Sequence, residues 1–321
     1  MGKLSQDYLK AVGQPVAQVI ERDEAADTNS CVAVCVVTSP YVPIEAALLK
    51  RGFKAVVPFY DLAEGFRGRH PLANGWHAPT LTGSYKNYIS DVLSQWHDDV
   101  SRAHHLQFLA WRTAREEWSF DDAPIRVENR YFPPEVTSVL HDCEVFVDGG
   151  AYTGSVSLNF LYYVNGDHKA IIAIEPDAAS RGQCEERLEG ENITVLPYAL
   201  AEHEGIVNFH DGLGYASQIA PTGRKYVTAY PLDALELAPT FIKLHLEGAE
   251  LAALKGARHT LVQHRPIVAV TVYHNEDGVW RTPSYLIGLL KDYRFLFRLH
   301  GWCGTGAVVY AIPEERYESR T

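Results

Sequence analysis

Between residues 144 and 163 the sequence passes from an apolar, β-branched run (VFVD) through Asp148-Gly149-Gly150-Ala151-Tyr152-Thr153-Gly154 into a helix-forming stretch. A glycine-rich turn between a strand and a helix is the opening unit of a parallel α/β sheet, because small residues let a ligand approach the backbone where helix N–H groups face it. The pattern continues in the same sense. Residues 170–174 form a second apolar run that ends at Glu175, 21 residues past Gly154, with a helix expected near 178–188. Further strands are expected at 193–196, 241–246 and 267–273, with a helix near 249–263 between the last two. A helix near 284–290 and two strand-like runs, 293–299 and 307–312, complete the series. The glycine-rich joint 300–306 between those runs predicts an antiparallel hairpin at the sheet edge. The fold class read from this order is α/β, a doubly wound, mainly parallel sheet.

The first half is less regular. Residues 31–37, 43–51 and 54–60 read as strand, helix and strand, a βαβ unit. Its first turn is Thr38-Ser39-Pro40-Tyr41, with no glycine, so a close approach to a pyrophosphate is not expected there. Asp61 at the end of the second strand reads as a solvated acid rather than a ribose ligand. Residues 65–83, rich in Gly, Pro and His, read as loop. Tyr85, Tyr88, Ile89, Val92, Leu93, Trp96 and Val100 recur at helical spacing, which predicts helix over 84–118 with a break near Ser101. His104 and His105 in this stretch read as surface or interface residues. Pro124, Pro133 and Pro134 among charges at 121–134 read as a linker, giving two domains, 1–125 and 126–321. The first resembles a small Rossmann-like domain and reads as a recognition or dimerisation module.

Composition removes several classes of function. With 46% apolar and 21% charged residues the chain is neither disordered nor fibrous. A net charge of −11 with no Lys/Arg-rich run disfavours nucleic acid as a partner. No apolar run reaches the roughly 18 residues of a membrane helix, and the N-terminus lacks the layout of a secretory signal. Five cysteines without a Cys-x-x-Cys pair indicate neither a disulfide framework nor a zinc knuckle. The expectation is a cytoplasmic protein with buried, reduced thiols.

In a right-handed βαβ unit Glu175 falls beside the glycine turn, where a carboxylate can accept both ribose hydroxyls of a nucleoside. The alternative is a tight turn with a solvated glutamate. Gly150 and Gly154 are separated by three residues, so the G-x-G-x-x-G fingerprint of nicotinamide enzymes is absent. Further on, Lys243-Leu244-His245-Leu246-Glu247-Gly248-Ala249-Glu250 places Lys243, His245 and Glu247 on one strand face by alternation. That face is either a proton-accepting site over the crevice or a satisfied ion-pair cluster. His274, after the strand 267–273, would reach the same crevice. His245, Glu247, Glu250 and His274 could converge as nitrogen and oxygen ligands, but the first three lack a known zinc spacing and lone histidines in such clefts are more often hydrogen-bonded, so no metal site is expected from them.

Four motifs, VFVDGGAYTG, AIEPD, KLHLEGAELAALKGA and RPIVAVTVYH, resemble in order and spacing the FkbM-type S-adenosylmethionine-dependent methyltransferases over about residues 143–312. The resemblance implies a class I methyltransferase fold with S-adenosylmethionine as cofactor. It implies that the glycine turn, through Asp148, Gly150, Tyr152 and Gly154 with Gly149 and Thr153 between them, cradles the methionine end. It implies that Glu175 holds the ribose, with Pro176 and Asp177 shaping the adenine side and Tyr198, Ala199 and Leu200 lining the adenine pocket. Most members read Lys-x-Asp-x-Glu-Gly-x-Glu at the fourth strand, and here His245 stands at the Asp position while Glu247 and Glu250 match. The implied reaction is O-methylation of a hydroxyl on a small molecule, sugar or glycan. His245, with a reference pKa near 6.5, Glu247 and His274 are the candidate bases, and Lys243 and Glu250 support them. The rival readings are a nicotinamide-dependent oxidoreductase or sugar-nucleotide enzyme, and a cofactor-binding scaffold without turnover.

Overall fold

The computed structural model describes residues 2–16, 18–21, 23–69, 83–190 and 192–318. The chain opens with α1 (Gly2–Ala11) and a βαβ unit of β1 (Cys31–Val34), α2 (Tyr41–Lys50) and β2 (Ala55–Pro58), in which β1 and β2 pair in parallel as a two-stranded sheet. Then come α3 (Phe59–Glu64), α4 (Gly83–Gln95), α5 (Asp99–Ala114) and the short α6 (Pro134–Thr137). Of the stretch 65–83 read as loop, residues 70–82 lie outside the described residues. The helix break falls at 96–98 rather than near Ser101, for a capping reason. Asp98 adopts an extended conformation and its carboxylate accepts the Ser101 N–H at 2.8 Å, so Ser101 belongs to the first turn of α5. Arg115, in the left-handed region, ends α5 short of residue 118.

The second half begins with β3 (Val145–Gly149), α7 (Ser155–Tyr163), β4 (Ala170–Ile174), α8 (Ala178–Arg187) and β5 (Ile193–Leu196). Four short strands follow, β6 (Ala199–Leu200), β7 (Gly205–His210), β8 (Gln218–Ile219) and β9 (Lys225–Tyr230), and form their own sheet in the order β6–β9–β7–β8. This sheet is not expected from the sequence pattern. The chain returns as β10 (Phe241–Leu244), α9 (Glu250–Lys255), α10 (Arg258–His264), β11 (Ile267–Thr271), α11 (Gly278–Leu289), β12 (Tyr293–Leu299) and β13 (Ala307–Pro313). The helix expected over 249–263 is two, parted near Gly256, where a Cβ would come 2.1 Å from the Ala201 carbonyl oxygen. The helix expected near 284–290 starts earlier, at Gly278.

The main sheet has seven strands in the order β12–β13–β11–β10–β3–β4–β5. All neighbours pair in parallel except β13, which runs antiparallel between β11 and β12. The connections run outward from β3 to β5 on one side and from β10 outward on the other. The order therefore reverses between β3 and β10, and the crevice beyond their carboxyl ends is where such sheets bind ligands.

One apolar core joins the two halves. Tyr8 of α1, Phe59 of α3, Trp96 between α4 and α5, and Phe108 of α5 cluster with Val147, Leu244, Val270 and Phe297 of the main sheet. Helix α5 lies along β12: the Phe297 N–H donates to Ser101 Oγ and the Leu299 N–H to His104 Nδ1. Arg298 ties Asp98 of the α5 cap to Glu135 of α6. His104 and His105 are consequently buried, not at the surface, because α5 is covered on more than one side. The thiols also divide: Cys184 and Cys303 are buried, whereas Cys31 and Cys143 are exposed. None of the described helices is long and apolar enough to cross a membrane.

Candidate active site

The reversal point is locked by a charge pair that the strand register creates. Lys243 on β10 stands opposite Asp148 on β3, and its ammonium donates to Asp148 Oδ1 at 2.9 Å with both side chains fully buried. The same ammonium donates to the carbonyls of Gly149 and Gly150, at 3.2 and 2.8 Å, and Ser157 Oγ donates to Asp148 Oδ2. Lys243 therefore holds the glycine turn from beneath. The turn cannot carry a side chain at Gly150, where φ is +70° and a Cβ would lie 2.0 Å from the His245 carbonyl oxygen. Gly154, at φ +77°, packs against Leu188 and starts α7.

Glu175 closes the turn from the other side. Its carboxylate accepts the Tyr152 N–H and the Asp177 N–H, both at 2.8 Å, and burial pushes its pKa up. A cavity of about 230 Å³ opens above this turn. Gly150, Tyr152, Glu175, Pro176, Tyr198, Ala199 and Leu200 line it, as do Lys243, His245 and Glu247. Several expected cofactor residues support this wall without lining it. Asp148 and Gly149 are buried behind the turn, Thr153 accepts from Arg187, and Asp177 caps α8 while accepting from Gly212 N–H and Ser217 Oγ.

The opposite end of the cavity is built by the loop after β10. Glu247 is not on the strand, which ends at Leu244; with φ of +50° and Gly248 at +113° the loop turns it back toward His245. Strand alternation thus does not account for the grouping of His245 and Glu247, and the left-handed turn does. Glu250 fixes the loop. Its buried carboxylate accepts from Leu246 N–H, Gly248 N–H, Thr271 Oγ1 and His274 Nδ1, the last at 2.7 Å. Burial alone would raise its pKa, but His274 and these donors hold it below the ordinary carboxylate value.

Around Glu247 Oε1 the two imidazoles converge, His245 Nε2 at 3.0 Å and His274 Nε2 at 3.4 Å. Tyr131 hydroxyl contacts the other nitrogen of His245 at 2.8 Å, and Tyr273 hydroxyl lies 3.3 Å from its Nε2. Burial, reinforced by Arg130, His274 and Lys243, holds His245 well below the ordinary histidine value. Burial works the same way on His274, but Glu247 and Glu250 outweigh it and hold that imidazole above its ordinary value. Burial pushes Glu247 up. His245 is therefore not a histidine poised near neutrality, as its reference value suggests; its charge is suppressed by burial first and by the cations around it second. His274 is buried behind Glu247 and links it to Glu250.

Several cavity residues carry no sequence signal of their own. Arg130 and Tyr131, from the segment read as a linker, line the cavity, and Arg130 donates to Tyr273 hydroxyl at 2.6 Å. Phe209, Tyr215, Ser217 and Gln218 reach it from the four-stranded sheet and the turn before β8. Tyr215 meets Tyr152 edge to face. Gln218 is buried, and its Oε1 has no hydrogen-bond partner among the described residues.

Comparison with known proteins agrees with this arrangement. Residues 148–297 match the family model of the methyltransferase FkbM domain. A solved structure of a methyltransferase FkbM from Methylobacillus flagellatus KT is 21% identical, with 84% of this chain and 70% of that chain covered and a TM-score of 0.65, a likeness of fold. Weaker likenesses include an rRNA methylase from Streptococcus thermophilus, 15% identical over 55% of this chain and 89% of that one, with a TM-score of 0.36. A precorrin-6y C5,15-methyltransferase from Geobacter metallireducens GS-15 is likewise 15% identical, over 60% and 95%, with a TM-score of 0.36. No curated protein matches the chain. The strand order and the glycine turn agree with that match, and it is residues 148–297 that carry the likeness to the methyltransferase FkbM domain.

Proposed function

We propose that this protein transfers a methyl group from S-adenosylmethionine to a hydroxyl oxygen of a small molecule or sugar. The observation that carries the reading is a single cavity with two chemically different ends, the glycine turn with Glu175 at one and the His245–Glu247–His274 cluster at the other. The first end fits the cofactor. Each Glu175 oxygen gives one lone pair to a backbone N–H and keeps another for a ribose hydroxyl. The unpartnered Gln218 Oε1 needs a donor of the kind an exocyclic amine provides, and an adenine supplies one. Gly150 and Tyr152 offer backbone to the methionine end. When bound, the cofactor contributes an electrophilic methyl on a sulfonium, so the protein's task is alignment and the exclusion of water.

At the second end, Glu247 is the proton acceptor we assign. Its Oε1 is held by the two imidazoles, which leaves Oε2 for the acceptor hydroxyl. His245 and His274 orient that carboxylate, Glu250 fixes His274, and Tyr131 fixes His245. Arg130 and Tyr215 contribute to the wall on which the acceptor would rest. The acidic surface suits a small acceptor better than a nucleic acid. The FkbM match leaves the nicotinamide and scaffold readings without comparable support.

Calorimetric titration of S-adenosylmethionine and S-adenosylhomocysteine tests the reading. Saturable binding is expected, weakened tenfold or more, about 1.4 kcal/mol, in Glu175→Ala. Absence of binding to the native, folded protein would overturn it.

A further inference from the structure

We infer that His245, Glu247 and His274 form a binding site for a divalent first-row transition cation at the acceptor end of the cavity. The argument starts from spacing. Nitrogen and oxygen ligands sit about 2.1 Å from such an ion, so two of them subtending roughly 90–110° are about 3.0–3.4 Å apart. The two contacts to Glu247 Oε1 measure 3.0 Å from His245 Nε2 and 3.4 Å from His274 Nε2. One ligand atom from each of the three residues lies within 4.8 Å of the other two. No other such group of His, Cys, Asp and Glu occurs among the described residues.

The surroundings are those of a metal site rather than of a chance ion pair. A ligating histidine ordinarily presents one nitrogen to the metal and hands the other to a carboxylate or hydroxyl that fixes its orientation. Both histidines do so here. His274 gives Nδ1 to the buried carboxylate of Glu250 at 2.7 Å, and His245 has Nδ1 on the Tyr131 hydroxyl at 2.8 Å. Their Nε2 atoms are thereby committed to the same point. Glu250 is itself anchored by two backbone N–H groups and Thr271, so it cannot swing away. The backbone agrees, because the left-handed conformation of Glu247 is what returns its carboxylate to the two rings.

The local charges are mixed. Lys243 is neutralised by Asp148, whereas Arg130, which donates to the neutral Tyr273 hydroxyl, keeps its positive charge; Glu247 and Glu250 bring two carboxylates to the cluster against it. Two imidazoles with one carboxylate favour manganese, iron, cobalt or zinc over magnesium or calcium, which prefer all-oxygen shells. Three protein ligands leave positions open toward the cavity, where a hydroxyl oxygen can bind and shed its proton more readily. This deepens the acceptor-activating role proposed above for the same trio.

The test uses untagged protein stripped with chelator and titrated with Co²⁺, following the visible absorption of the ion as histidine nitrogens enter its shell. One equivalent is expected to bind saturably. Glu247→Gln and His274→Gln are each expected to lose tenfold or more in affinity, and Glu250→Gln, which removes only the partner of a ligand, ten- to a hundredfold. Circular dichroism on each variant establishes that it is folded. Absence of saturable Co²⁺ binding to the native protein would overturn the inference, as would affinity equal to the native protein's in folded Glu247→Gln and His274→Gln. S-adenosylmethionine titration of the same stripped protein keeps a failure of the metal site distinct from a failure of the methyltransferase reading.

Discussion

Acidification from about pH 7 to about pH 5 should remove a large part of the stability of this protein through three buried histidines. His104 has both nitrogens committed, Nδ1 accepting from Leu299 N–H and Nε2 donating to the Ala123 carbonyl. His105 accepts from Trp96 Nε1 through Nδ1, and its other nitrogen is buried without a partner among the described residues. His300 contacts the Arg126 carbonyl and the Tyr310 hydroxyl. Burial, the largest influence on each, lowers their pKa to about 4, about 3 and about 3. In the unfolded chain each returns to about 6.5, so below that pH the unfolded state takes up protons that the folded state refuses. Stability must therefore fall as pH drops through 6.5, and continue to fall until about pH 4 for His104 and about pH 3 for His105 and His300. Each histidine contributes a slope of about 1.4 kcal/mol per pH unit, which for the three amounts to roughly 6 kcal/mol lost by pH 5. A domain holds only about 5–15 kcal/mol in total. His245, also held low, adds in the same direction, and His274, held high, opposes it. Asp98, lowered to about 2, matters only at more acid pH. Urea unfolding followed by circular dichroism across this range measures the slope. His104→Gln, whose amide can keep both hydrogen bonds, should flatten it by about one proton. A slope of less than one proton between pH 6.5 and 5 would refute the reasoning, and so would an unchanged slope in His104→Gln.

Two further outcomes follow from the floor of the cavity. Gly150→Ala forces a methyl group against the His245 carbonyl, 2.0 Å from its oxygen, at a φ of +70°; a shift of the loop by about 1 Å should cost on the order of a hundredfold in methyl transfer and weaken S-adenosylhomocysteine binding measured by calorimetry. Lys243→Met leaves Asp148 as an uncompensated buried carboxylate and should destabilise the fold by about 3–5 kcal/mol in urea titration, whereas Lys243→Met combined with Asp148→Leu should recover part of that loss.

How far the sequence discloses this molecule depends on whether each element buries one face or several. β3, β4, β10 and β11 are buried almost throughout and read as continuous apolar runs, so their placement and the glycine turn between β3 and α7 follow from residue pattern alone. The sheet β6–β9 is different. Its strands are as short as two residues, and large side chains such as Ile206 and Tyr226, each 74% exposed, point outward, so its apolar residues do not mark a buried face. Helix α5 fails to read correctly for the opposite reason. It is covered on more than one side, and polar residues such as Ser101, His104, His105 and Gln107 are buried alongside Phe108 and Trp111. Arg130 and Tyr131 are invisible for a third reason: proline and charge give their segment the composition of a linker, while its role is set by contacts more than a hundred residues away.

The most informative departure in the sequence, His245 where the resembling family carries Asp, becomes intelligible in this setting. A carboxylate at that position would stand beside Glu247 with Glu250 close behind, three acids sharing one desolvated loop, and like charges in such a place disfavour one another's ionisation. An imidazole changes the terms. It sets Nε2 against Glu247 Oε1 and Nδ1 against the Tyr131 hydroxyl, so the loop is held by complementary donors and acceptors instead of by a surplus of anions. His274, one strand over, completes the same logic by bridging Glu247 and Glu250. The two histidines thus work as a pair contributed by adjacent strand ends, β10 and β11, and the identity of one makes sense only when the other is present. The strand pattern along the chain brings both histidines to one crevice, and the register between β10 and β11, in which Lys243 lies beside Ala269, sets them against the same carboxylate.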